Sequence, residues 1–139
     1  MDKFKEIRPI ALGLAIKNGK VLVSKGYDKV KDQTFYRCLG GGIEFLEKSD
    51  EALKREFKEE IGADVTVKDF LGLEENIFTF NGKNGHELIF VYTVDVKDSD
   101  YKDNYTIIDE VDSYAVWMDI EQFKNGKEIL YPTTVIKYL

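Results

Sequence analysis

At 139 residues the chain falls within the usual size of one domain and is long enough for one real core, so residues 1–139 read as a single domain. A composition of 43% hydrophobic and 33% charged residues is too apolar for a disordered chain. The formal net charge of −6 argues against binding a nucleic acid polymer or a membrane surface, which need a positive field, and means that a polyanionic substrate would require local cations or a metal.

Residues 1–8 are charged throughout and hold no apolar run of signal-peptide or membrane-spanning length, so the cytoplasm is the expected location. Residues 9–16 and 21–24 then read as two apolar strands joined by the turn Asn18-Gly19, the strongest hairpin signal in the chain. After a polar loop at 29–33, residues 34–38 read as a short strand that ends at the glycine run Gly40-Gly41-Gly42. The single cysteine, Cys38, has no internal disulfide partner and is expected as a small buried hydrophobe.

A helix over 50–61 follows. Ser49 or Asp50 can cap it, Asp50 and Glu51 suit the positive end of its dipole, and Gly62 can end it at the C′ position. Residues 64–73, 76–80 and 87–96 carry the β-branched and aromatic residues of strands, and the last two of these flank the turn at 81–85. A meander of antiparallel strands accommodates them best. Residues 97–112 are acidic and lack sustained periodicity, so they read as a long loop. Residues 114–118 read as a strand, 119–123 as a short helix, and Pro132 as the first residue of a last helix to Leu139.

Wound at helical spacing, Leu53, Phe57 and Ile61 form one apolar stripe, and Glu56, Glu59 and Glu60 share an adjoining face. Like charges four apart cost about 0.2–0.5 kcal/mol on an isolated helix, a sign that a divalent cation would reverse. Taken alone, such a face is usually solvated surface, and a glycine triplet is usually a turn. If instead they act together, a main-chain carbonyl of the glycine run and the nearby Glu44 could complete a metal shell. Arg55 stands four residues before Glu59 and within reach of Glu47, from where it would orient the cluster.

Gly41, five residues, Glu47, seven residues and then Arg55-Glu56-Phe57-Lys58-Glu59-Glu60-Ile61-Gly62 complete a spaced pattern over residues 41–63. It resembles the Nudix box, G-x5-E-x7-R-E-U-x-E-E-x-G-U with U apolar. Seven fixed identities at average frequencies of about 5–7% coincide at a given position on the order of once in a hundred million. Ala63, Leu46 and Leu39 depart from the pattern, standing where the family prefers a larger aliphatic residue, glycine and proline. A side chain at Leu46 bears on the shape of the phosphate loop.

The resemblance implies an α/β (α+β) fold of the Nudix type, an α/β/α sandwich with a mixed, largely antiparallel central sheet and a loop-helix-loop box. It implies a hydrolase of small bacterial MutT-like kind that cleaves a diphosphate (pyrophosphate) linkage in a nucleoside diphosphate joined to another moiety, by attack of metal-activated water on phosphorus. Carried over by position, the carbonyl of Gly41 with Glu56, Glu59 and Glu60 would bind Mg²⁺ or Mn²⁺. Glu56, Glu59, Arg55 and Glu47 would form the catalytic set.

The general base stays open among Glu56, Asp109, Glu110 and Asp112, with Glu44 and Glu110 as further metal or base candidates. Arg37, Gly40 and Gly42 are candidate substrate contacts; for Arg37 a phosphate clamp and a surface ion pair are equally admitted. His86 is expected in a structural or surface role. Phe78, Phe80, Phe90, Tyr92 and Trp117 are mostly core, with a base-stacking platform among them admitted. A non-catalytic nucleotide or ADP-ribose sensor is the alternative function, and dimers are common in the family, so a homodimer is compatible. Oxidised nucleoside triphosphates, ADP-ribose, nucleotide sugars and dinucleoside polyphosphates all stay open as substrates.

Overall fold

Residues 10–15 alternate large and small side chains, Ile10, Leu12 and Leu14 against Ala11, Gly13 and Ala15, and that alternation decides what can lie on either side. In the computed structural model, which describes residues 5–108 and 113–139, they form the middle of strand β1 (Ile7–Lys17). The remaining strands are β2 (Lys20–Asp28), β3 (Gln33–Gly42), β4 (Val65–Phe80), β5 (Lys83–Val96), β6 (Asn104–Thr106) and β7 (Tyr114–Asp119). The helices are α1 (Ser49–Ile61), α2 (Ile120–Lys124) and a C-terminal 3-10 helix (Thr133–Tyr138).

The fold is mixed α+β, with few helices and a seven-stranded sheet in the order β4-β5-β1-β3-β2-β7-β6. β1 and β5 pair in parallel, and the other pairings are antiparallel. The antiparallel pairing expected over residues 64–96 is met by β4 and β5, and the sheet is mixed and mostly antiparallel. After the β4–β5 hairpin the chain returns to lie along β1, and a parallel neighbour needs the long crossover that β2, β3, α1 and β4 provide. β3 serves both halves of the sheet: residues 33–38 pair with β2, and residues 39–42 pair with β1.

The small residues of β1 face α1. Ala11 and Ala15 pack there with Leu22, Leu39, Leu53 and Phe57, and the Phe57 ring lies so close to Gly13 that an added Cβ would meet it at 2.8 Å. The large residues face the other way, where Ile10, Leu12 and Leu14 pack with Val21, Val23, Ile89, Phe123 and Val135 from the sheet, α2 and the 3-10 helix. Cys38 is buried in this second layer, and burial pushes its thiol up to about 12, so it packs as an inert hydrophobe.

Five local expectations need correcting. The glycine run is not a loop, because Gly40, Gly41 and Gly42 continue β3 opposite Leu12, Ala11 and Ile10. α1 is preceded by Lys48 with no side-chain cap; Ser49 instead shares a hydrogen bond of 2.6 Å with the Tyr92 hydroxyl. Residues 64–73 and 76–80 belong to one strand, which absorbs its irregularity in register shifts between Val67 and Gly72. The last helix is 3-10 and begins after Pro132. The loop expected at 97–112 contains a 3-10 turn, Asp98–Asp100, and the short strand β6. Among the described residues no helix is long and apolar enough to cross a membrane.

Phe57 is wholly buried and anchors α1 on the sheet. Phe57→Ala should lower unfolding stability by about 3–5 kcal/mol, read as a shifted urea midpoint, because the removed ring leaves a cavity among the buried side chains between α1 and the sheet. A shift below 1 kcal/mol would show that α1 is held elsewhere.

Candidate functional site

Because Leu53, Phe57 and Ile61 are pinned to the sheet and Gly62 ends the helix in a left-handed turn at φ 70°, the rotation of α1 is fixed. Its adjoining face then comes down beside the glycine end of β3. The Glu56 carboxyl group lies directly over the α-carbon of Gly41, in the space a Cβ would need. A side chain at this position would push the Glu56 carboxylate out of its place. Gly40, at φ 150°, is likewise pressed against the Ala11 carbonyl of β1.

Arg55 sits at the centre of the site. Its Nε donates to Glu47 Oε2 at 2.8 Å and its Nη2 to Glu47 Oε1 at 2.9 Å, a two-pronged contact. Nη2 also donates to the Gly42 carbonyl at 2.9 Å, while Nη1 donates to Glu56 at 2.9 Å and to Glu59 at 3.2 Å. Glu44 stands 3.7 Å from Nη1, and its backbone N–H donates to Glu47 at 3.1 Å. The loop after β3 is thus tied to the helix through one guanidinium. Hydrogen bonds from Arg55 first, then from the Glu44 N–H, hold the Glu47 carboxyl down at about 2.

Of the candidate metal ligands, Gly41, Glu56 and Glu59 are brought to this one place. Glu56 is mostly withdrawn from solvent, with 16% of its side chain exposed, against 52% for Glu59. Glu60 is half-buried, and its carbonyl accepts from the Ile108 N–H at 2.8 Å. Among the described residues no group of three His, Cys, Asp or Glu side chains is arranged to hold a metal ion by itself. Asp109, Glu110 and Asp112 lie outside the described residues.

The donor chemistry nevertheless fits a hard dication. All side-chain donors are carboxylate oxygens, Glu56 and Glu59 already converge on one cationic nitrogen, and the missing Cβ of Gly41 opens the approach to Glu56.

Arg37 does not stand open toward the glycine run. It is engaged with Glu87 at 3.2 Å, and Glu87 is buried and also accepts from Asn76 at 3.3 Å. Sequence reasoning missed Glu87. The available signal was its parity on β5, where it shares the inward face with Ile89 and Val91. Leu46 adopts φ 68° with its side chain 90% exposed, so the backbone takes the left-handed turn that glycine would make and sends the side chain outward. A separate cleft of about 510 Å³ is lined by Lys25, Tyr27, Tyr36 and Tyr114 and includes no residue of α1 or the glycine run.

Comparison with known proteins places the fold. The family model for the NUDIX domain matches residues 7–135. A MutT NUDIX hydrolase from Burkholderia pseudomallei superposes with a TM-score of 0.70 at 18% identity, covering 95% of this chain and 96% of that one. A NUDIX-family hydrolase from Clostridium perfringens gives 0.62 at 20% identity, over 96% and 93%. A UDP-X diphosphatase gives 0.62 at 17% identity, covering 96% of this chain but 59% of that longer one. A search of curated proteins finds no match.

The depressed Glu47 carboxyl makes the site pH-sensitive in a defined direction. Its folded value lies below the ordinary 4.5, so its contribution to stability is complete above about 4.5 and is lost as pH falls toward about 2. Urea midpoints of the wild type and Glu47→Gln should therefore differ most above that window and converge through it. A gap that stays constant down to the acid end would mean that Glu47 and Arg55 are not coupled.

Proposed function

We propose that this chain, which belongs to the NUDIX domain family, is a divalent-metal-dependent hydrolase that cleaves the diphosphate linkage of a nucleoside diphosphate joined to a further group. The observation that carries the reading is the placement of Glu56 over Gly41 with Glu59 on the same guanidinium. The UDP-X diphosphatase of related fold acts on a linkage of this class and supports the reading.

Mg²⁺ or Mn²⁺ would be held by Glu56, Glu59 and Glu60 with the Gly41 carbonyl. When bound, it supplies charge neutralisation on the phosphates and lowers the pKa of a coordinated water. The chain's own residues do the rest. Arg55 holds Glu56 and Glu59 by Nη1 and therefore sets which oxygens of each carboxylate stay available for the ion. Glu47 fixes the guanidinium plane by its two-pronged contact, and Gly42 fixes the same group from β3. The register between helix and glycine strand is thereby held during the reaction. Gly42 has no side chain to stand between β3 and a phosphate.

The proton of the attacking water needs an acceptor within hydrogen-bond reach, and Glu56 is the candidate among the described residues that lies against the glycine strand. Arg37, through its contact with Glu87, contributes as a positioning residue on β3 ahead of the phosphate subsite.

Glu59→Gln and Glu60→Gln should each reduce turnover by about a hundredfold or more while the circular dichroism of the fold is kept, because each removes a charge the ion requires. A panel of nucleoside triphosphates, nucleotide sugars, ADP-ribose and dinucleoside polyphosphates, assayed with Mg²⁺ for released nucleotide and phosphate, provides the measurement. Addition of a chelator should abolish the signal, and Mg²⁺ should restore it. Full activity in both variants would overturn the proposal, as would ligand binding with no product from any substrate of the panel.

A further inference from the structure

The chain has three arginines, Arg8, Arg37 and Arg55, and the fold gathers all three around the glycine end of β3. Two of them are neutralised, Arg55 by Glu47, Glu56 and Glu59, and Arg37 by Glu87. Arg8 is not. It is exposed, and among the described residues its guanidinium has no carboxylate, carbonyl or ring as a partner.

The register shows how it comes to stand free. Ile43 donates its N–H to the Pro9 carbonyl at 3.0 Å, and Ile10 lies opposite Gly42, so β1 runs beside the last residues of β3. Side chains alternate along a strand, and Arg8 therefore leaves β1 on the same side as Ile10, away from α1. Its neighbour across β5 is Glu87, but that carboxylate is already held by Arg37 and Asn76. The guanidinium reaches instead over Gly42, with its Nη2 3.7 Å from the point that a Cβ would occupy.

We infer that Arg8 is a substrate-binding residue that grips a phosphate of the diphosphate at Gly42. The inference rests on the proposed diphosphate chemistry and gives it a second source of positive charge. Two consecutive glycines carry opposite charges on opposite faces of β3, the Glu56 carboxylate over Gly41 and the Arg8 guanidinium over Gly42. A diphosphate has two charged groups to place. One can lie on the dication that the carboxylates hold, and the other on a fixed cation beside it. A guanidinium presents parallel N–H groups in one plane, the geometry that phosphate oxygens accept two at a time. An exposed arginine is ordinarily solvated surface. What sets Arg8 apart is its place over Gly42 in a chain of net charge −6, where an arginine without an acidic partner has an anion as its complement.

The test is the binding of imidodiphosphate, a diphosphate analogue that resists hydrolysis, to the full chain with Mg²⁺ by titration calorimetry. Arg8→Gln should weaken binding by about tenfold or more, the loss of charge-assisted hydrogen bonds. Arg8→Lys should recover part of it, since it restores the charge without the planar fork. Lys20→Gln, which removes the same charge at the opposite end of β1, should leave the affinity unchanged. Mn²⁺ binding without the analogue, read by electron paramagnetic resonance, should be the same in wild type and Arg8→Gln, because Arg8 touches none of the carboxylates. Equal affinity for the analogue in wild type and Arg8→Gln, an equal loss in Lys20→Gln, or no binding by the wild type at millimolar concentration would each overturn the inference. So would a fall in Mn²⁺ affinity that matches the loss of the analogue, since Arg8 would then only support the fold of the site. Binding is read without turnover. A chain that binds through Arg8 but hydrolyses nothing defeats the proposed function alone, and a hydrolase whose Arg8→Gln variant binds the analogue as the wild type does defeats only this inference.

Discussion

One guanidinium faces four carboxylates in this protein, and the site exists only because it does. Arg55 contacts Glu47, Glu56 and Glu59 directly and Glu44 at longer range. Unit charges a few ångströms apart repel by about 1 kcal/mol in water and by several times that where solvent is partly excluded. Four such groups would therefore drive the loop before α1 away from the helix. The arginine offsets part of that repulsion, and its bond to the Gly42 carbonyl carries the restraint through to the sheet. Loop, helix and strand share a single cation, so displacement of any one of them disturbs the other two.

The position of that cation follows from atoms that are absent. Ala11, Gly13 and Ala15 let α1 settle close onto β1, and Gly41 lets Glu56 settle close onto β3. A larger side chain at Gly13 would meet the Phe57 ring, and one at Gly41 would displace the Glu56 carboxylate from the strand. Packing and chemistry are set by the same residues here, which is why the short side chains of β1 belong to the description of the site as much as the glutamates do.

Much of this could be read in the chain itself. The stripe of Leu53, Phe57 and Ile61 and the stop at Gly62 located α1 within one residue of its observed span, since helical period and terminal glycine are local signals. The spacing from Gly41 to Gly62 pointed to the family. What escaped was non-local. Nothing near β5 announces that it will pair in parallel with β1, and a glycine run gives no sign of being strand until Ala11 lies opposite it. Ser49 is a good capping residue by type, but the hydroxyl of Tyr92, far off in sequence, competes for it. Glu87 reads as surface charge until its parity on β5 is known, and only the fold brings Arg37 to it.

The pairing of Arg37 with Glu87 bears on how a molecule of net charge −6 can receive a polyphosphate. Arg37 and Arg55, on either side of the glycine run, each meet a carboxylate in the structure and so bring little uncompensated positive charge. On the proposed reading the compensation for the phosphates has to come from the dication and from Arg8. Cation and anion then each raise the other's affinity by the same factor, as linkage requires. The excess of carboxylates over arginines at α1 suits the same balance, since it attracts the cation that the phosphates require.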